Sequence, residues 1–244
     1  GMFLSVADET NQNLTGSSRE LLLWHWRLGH ASMQWIQRLA ANPNDTRDGQ
    51  KPILATKNKN VSCCAAPLCA ACQLSKQHRR PANLPRRNPV PDEQPHLRAN
   101  DILPGDCVSI DQCMSSLPGR LPHTFGKEKK KDRYCGGTLF VDHASAYIHL
   151  RHQVSLRVGE TLVSKREFEQ LSDTFGIKIK RYHADNAPFG AASFKENLSA
   201  NNQALEFSGT GAHHQNGVAE RAIQTVTYWA RAMMLHSVIH WPDQ

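Results

Sequence analysis

The chain has 244 residues with a net charge of +7 and a pI near 9.1. With 39% hydrophobic against 21% charged residues, it can bury one large core or two modest ones, and wholesale disorder is excluded. The basic excess suits a polyanionic partner such as nucleic acid. With no apolar run of about 18 residues, no membrane partner is expected.

The first segment, 1–17, is polar and aperiodic and reads as a linker. It lacks the basic start and apolar core of a secretory signal. Because the chain begins with Gly1 and stops at HWPDQ, it reads as a segment of a longer polypeptide. Ser18 is the expected cap of a helical stretch, RELLLWHWRLGHASMQWIQRLA, that Gly29 divides into two short helices. A polar loop over 41–62 leads into CCAAPLCAAC, which holds four of the seven cysteines. Such clustering suits metal ligation in a reducing compartment better than a disulfide framework. The stretch from Lys76 to Arg98 is basic and carries five prolines, which forbid regular helix and make it an extended linker.

Beyond this linker the periodicity changes. CVSIDQC alternates as a half-buried strand, with Val108 and Ile110 on one face and Ser109 and Asp111 on the other. GGTLFVDH and AYIHLRHQ read as two further strands joined by a tight turn. VGETLVSKREFEQLSDTFG has helical spacing at Leu162, Phe168 and Leu171, and Gly176 stops it. IKIKRYHAD alternates again and ends in an acid; AASFKENLSANN reads as a short helix and ALEFSG as a fifth strand. VAERAIQTVTYWARAMMLH is an amphipathic helix with an expected buried stripe of Val218, Ala222, Ile223, Val226, Ala230 and Met233. Three strands followed by alternating helices and strands imply an α/β fold, a mixed sheet with helices packed on it.

Two groups of residues carry chemistry. His25 and His30 lie on or just after the first helical segment, and Cys69-Ala-Ala-Cys72 supplies two thiolates on one side of a knuckle. Together they offer the four N/S ligands of a closed tetrahedral zinc site, which stabilises folding rather than catalysing. Cys63, Cys64 and His78 compete for these places, and a redox Cys-x-x-Cys pair is the other reading.

The second group is Asp111 in the first strand, Asp185 at the end of the fourth, and Glu220 in the first turn of the last helix. Carboxylates converging at one sheet edge are hard ligands for two Mg²⁺ or Mn²⁺ ions, which serve in-line phosphoryl displacement. Each acid also has an ordinary reading, as a turn residue, a cap or a complement to the helix dipole. Asp142, after an apolar strand, is the main decoy and reads as structural. Glu220, Gln224, Thr227 and Arg231 form a polar ridge able to follow a DNA backbone, or simply a solvated face. The Lys129, Lys130 and Lys131 run is either a solvated loop or a phosphate contact. His183, His213 and His214 are left out of the catalytic set.

LLLWHWRLGHAS, CAACQLSKQHRRP, HADNAPF and HHQNGVAERAIQTVTYWARAMM occur in this order over roughly 20–240. They resemble successive landmarks of the integrase region of copia-type long-terminal-repeat retrotransposon polyproteins. The resemblance implies a ribonuclease H-like mixed five-stranded sheet with flanking helices, preceded by a small helical zinc-binding module. The implied arrangement is a module at 18–80, a basic proline-rich linker at 81–103 and a catalytic core at 104–240. It also implies 3′-end processing and strand transfer of element cDNA into target DNA by a DDE-type polynucleotidyl transferase. Asp111, Asp185 and Glu220 would bind two catalytic Mg²⁺ or Mn²⁺ ions, and His25, His30, Cys69 and Cys72 one structural Zn²⁺. The implied partners are cDNA ends, target DNA, further copies in a homo-multimer and the rest of the polyprotein. The implied setting is intracellular, in virus-like particles and the nucleus. Competing functions are a ribonuclease H-like nuclease and a non-catalytic nucleic-acid-binding remnant.

Overall fold

The computed structural model describes residues 11, 13–41, 52–77, 102–119, 133–185, 189–208 and 216–240. The chain divides into two compact units, one of Gly1–Arg86 with Thr225–Gln244 and one of Arg87–Gln224. No helix among the described residues is long and apolar enough to cross a membrane.

The first unit opens with helices α1 (Gly16–Arg27) and α2 (Met33–Ala40). The cap of α1 is Thr15, not Ser18: Thr15 Oγ1 accepts from the Ser18 amide at 3.2 Å. Ser18 lies inside the first turn, where its hydroxyl donates instead to the Ala65 carbonyl. A cap needs an extended backbone as well as a short polar side chain, and Thr15 has it at φ −65°, ψ 162°. The helix ends where Gly29 and His30 both take left-handed backbone at φ 64°. A small core of Leu21, Ala31, Ile36, Ala40 and Val61 lies beneath the two helices. Glu20 pins the following loop by accepting from the amides of Lys57 and Asn58. A short helix α3 (Ala70–Ser75) begins directly after Cys69.

The second unit is built on β1 (Val108–Gly119), β2 (Tyr134–Asp142), β3 (Ile148–Gln153), β4 (Arg181–Ala184) and β5 (Ala204–Phe207), with α4 (Val158–Thr174) and α5 (Ala192–Ala200) between strands. Strand order is β3-β2-β1-β4-β5. The first three strands are antiparallel neighbours, while β4 runs parallel to both β1 and β5. A mixed sheet in this order with flanking helices is the ribonuclease H-like arrangement. Two glycines of β2 leave no room for a side chain against the neighbouring strands. A Cβ on Gly136 would meet the Cys113 carbonyl oxygen at 2.2 Å, and one on Gly137 the Arg151 oxygen at 2.5 Å.

Val108, Ile110, Tyr182 and Ala184 face a core completed by Phe140, Phe168, Phe194 and Leu198. Phe140 stacks on Phe168 with centroids 4.7 Å apart. The buried face of α4 differs from the sequence expectation. Phe168 is buried, but its companions are Thr161, Ser164, Lys165 and Ser172, with Leu162 and Leu171 only partly covered. Each polar group has found a partner: Gln112 donates to Thr161, Gln153 to Ser164, and Lys165 contacts both Glu169 and Asn197. Burial without such partners would be prohibitive. The fourth strand is shorter than IKIKRYHAD suggests, because regular pairing is confined to Arg181–Ala184.

The last helix, α6, spans Gly217–His240, its residues up to Gln224 belonging to the second unit and the remainder to the first. Its buried positions are Ala219, Ala222 and Ala232, whereas Ala230 and Met233 are exposed. A single apolar stripe presumes one partner along the whole helix, and here two units claim different stretches.

Candidate functional site

Four ligand atoms converge in the first unit. His25, His30, Cys69 and Cys72 each offer one, and all lie within 4.8 Å of one another. Both histidines are buried. His25 Nδ1 donates to the Ala31 carbonyl at 2.6 Å, which fixes the tautomer and leaves the Nε2 lone pair free to ligate. Nε2 lies 3.1 Å from His30 Nδ1 and 3.3 Å from Cys72 Sγ. His30 Nδ1 lies 3.5 Å from Cys69 Sγ and 3.4 Å from Cys72 Sγ. Zinc bonds of about 2.0–2.3 Å at tetrahedral angles set ligand atoms about 3.3–3.8 Å apart; the three sulfur–nitrogen separations fall in this range, while the two histidine nitrogens stand slightly closer, so the set fits zinc in type. The hydrogen bond between the two thiols holds Cys69 far below the ordinary thiol range, aided by both imidazoles, and pushes Cys72 far above it. Cys63 and Cys64 turn instead toward the Asn60 and Val61 carbonyls; His78 lies outside the described residues.

The left-handed backbone at His30 is the local device behind this convergence. A non-glycine residue there is strained by about 1 kcal/mol or more, and such strain collects at functional positions. The turn sets the His30 ring edge-on to His25, with centroids 4.8 Å apart.

In the second unit, Asp111 lies on β1 and Asp185 directly after β4. Because Ile110 pairs with Ala184 in parallel register, each acid follows its strand's half of one pair. Glu220 is in the first turn of α6, whose entry is tied to β1 by Asn216 Nδ2 donating to the Ile110 carbonyl at 3.4 Å. Burial raises the Asp111 carboxyl, the Gln112 amide opposes this, and the charges of Glu220 and Asp185 raise it further. Asp111 and Asp185 are half-buried and Glu220 is exposed. Among the described residues, the metal-ligand group that closes is the His/Cys set alone. Three carboxylates repel one another, and a divalent cation would draw them inward.

No protein-family model and no curated protein matches the chain. Solved structures do resemble it. The catalytic core of HTLV-2 integrase with magnesium, in its trimeric form, is 18% identical, with a TM-score of 0.39 over 59% of this chain and 78% of that one. A chain of the simian T-cell lymphotropic virus intasome, in complex with PP2A regulatory subunit B56 gamma, is 15% identical, with a TM-score of 0.43 over 69% of this chain and 49% of that one. The catalytic core of BIV integrase is 11% identical, with a TM-score of 0.37 over 53% of this chain and 81% of that one.

Asp142 is structural. It is 5% exposed, and its carboxylate accepts from the Gly105 amide at 2.8 Å and from the Ser145 amide and hydroxyl at 2.7 and 2.6 Å. Asp142→Ala is expected to lower stability by roughly 3 kcal/mol, since hydrogen bonds to a buried charge are among the stronger ones. Urea denaturation reads this directly, and an unchanged midpoint would contradict the role. Gln224, Thr227 and Arg231 of the proposed ridge are all exposed, as is Glu220. Lys129, Lys130, Lys131, His213 and His214 lie outside the described residues. His183 approaches the Ser208 hydroxyl at 3.3 Å. Sequence reasoning missed Asn216, whose signal is adjacency to a helix start, and His236, which carries no sequence signal.

Proposed function

We propose that the chain is the integrase region of a copia-type retrotransposon polyprotein, acting as a DDE-type polynucleotidyl transferase on cDNA ends and target DNA. The observation that carries this reading is the parallel register of β1 with β4 in a ribonuclease H-like sheet, in which Asp111 and Asp185 each follow one half of the Ile110–Ala184 pair. The zinc-suited His/Cys set and the ordered sequence landmarks support it. In this reading 18–80 is the zinc module, 81–103 a basic linker and 104–240 the core, working as a homo-multimer in virus-like particles and the nucleus.

Mg²⁺ or Mn²⁺ held by the three acids would supply an activated attacking oxygen and a stabilised leaving oxygen. The chain's own part is positional. In the parallel pairing of β1 with β4, Asp111 and Asp185 follow paired residues, and Asn216, four residues before Glu220, donates to the Ile110 carbonyl next to Asp111. The exposed side chains Gln224 and Arg231 offer a hydrogen-bonding group and a cation to the DNA backbone. Such contacts fix substrate position without reading sequence. His25, His30, Cys69 and Cys72 would hold one Zn²⁺ and thereby fold the N-terminal module.

The test is a strand-transfer assay with labelled oligonucleotides bearing the element's ends, run with Mn²⁺ and resolved for joined and cut products. Joined products that vanish with Glu220→Gln support the transferase. Cutting of an RNA–DNA hybrid with no joining supports a ribonuclease H-like nuclease. DNA binding without cutting or joining, unchanged by Glu220→Gln, supports the non-catalytic remnant.

A further inference from the structure

His236, on the distal half of α6, belongs to the same compact unit as the His/Cys set. Its ring meets His30 edge-on with centroids 5.0 Å apart, and on another side meets Trp26 at 5.0 Å. With the His25–His30 contact this makes a continuous line of rings from Trp26 to the ligand atoms. His236 and Cys69 also line one cleft of about 190 Å³ together with Trp26, Ala71 and Ile239. The helix passes close by along this stretch. Ala232, one turn earlier, is 1% exposed, and a Cβ added to Gly29 would come within 3.5 Å of Met233 Sδ.

The two ligand imidazoles are thus oriented differently. His25 is held by its Nδ1–H bond to the Ala31 carbonyl. His30 sits on left-handed backbone, and the His236 ring packs against it in a T-shaped contact. Groups that orient a ligand raise the affinity of the whole site, because the ligand no longer loses that freedom on binding.

We propose that His236 is a positioning residue for the His25/His30/Cys69/Cys72 centre, so that metal loading and docking of the distal half of α6 on the N-terminal helices are linked. This rests on the zinc reading given above. The linkage is reciprocal: whatever the docked helix adds to metal affinity, the metal adds to helix docking.

The experiment titrates the full 244-residue chain, first stripped of metal, with Co²⁺ and then with Zn²⁺ against a chromophoric chelator. His236→Ala is expected to weaken binding by about 10-fold or more, within the range seen for groups that orient metal ligands. His236→Phe, which keeps a flat ring, is expected to restore most of the affinity and the tetrahedral Co²⁺ absorption. Hydrogen exchange provides the reciprocal measurement, with metal removal speeding exchange over 228–239. Wild-type affinity in His236→Ala, with far-UV circular dichroism unchanged, overturns the proposal and leaves the zinc reading standing. His236→Phe as weak as His236→Ala overturns ring packing as the cause. If the unsubstituted chain binds neither ion, the zinc reading fails and this proposal with it.

Discussion

Asp111→Asn and Glu220→Gln are each expected to reduce strand transfer by at least about 10²-fold, since charge stabilisation at such a centre supplies several kcal/mol and each 1.36 kcal/mol is a factor of ten. Asp111→Asn should at the same time raise the thermal midpoint of the chain in chelator. Burial, first, and then the charges of Glu220 and Asp185 lift the Asp111 carboxyl above its ordinary range, against the Gln112 amide. A carboxyl raised on folding withdraws stability as pH climbs from its unfolded pKa through its folded one. At neutral pH the ionised Asp111 therefore opposes folding, and an amide in its place relieves the opposition. Loss of transfer together with a higher midpoint separates a functional carboxylate from a structural one such as Asp142, where substitution lowers stability. Joined-product yield and a thermal melt on the same preparation measure both. Full transfer by either variant would remove that acid from the mechanism.

Removing metal is expected to unfold the N-terminal helices while the five-stranded sheet keeps its protection. Among the described residues, the buried apolar cluster beneath α1 and α2 is small: Leu21, Ala31, Ile36, Ala40 and Val61. A module with so small a core leans on a further source of stability. A structural zinc site contributes apparent free energies of about 10–16 kcal/mol in zinc-finger peptides, enough to decide the balance. The thiol pair shares a hydrogen bond that binding replaces, so loading should also release protons and weaken at acid pH. His25→Ala, which deletes a ligand and the bond to Ala31, should mimic chelation. Residue-resolved hydrogen exchange with and without chelator reads the effect, and re-addition of Zn²⁺ should reverse it. Undiminished protection of Leu21–Arg27 under chelation would show that the module folds without metal.

The order of elements and the residue types at the two sites are legible in the amino-acid order alone. Alternation at Val108–Asp111, the helical period after Arg157 and the left-handed turn at Gly29 are short-range properties, which any few residues express on their own. Cys69-Ala-Ala-Cys72 and the two histidines announce ligand chemistry by type and spacing, and the acids lie within a strand, at a strand end and in a first helical turn. Other features required the tertiary structure. Ser18 yielded the cap to Thr15 because its hydroxyl has a partner at Ala65. Polar residues of α4 took the buried face because Gln112, Gln153 and Asn197 were there to receive them. The buried line of α6 follows Ala219, Ala222 and Ala232 because different units hold its two ends. His236 reached His30 across more than two hundred positions of chain. Local propensity fixes what a segment can become, whereas burial and hydrogen bonding depend on partners whose arrival only the folded chain decides.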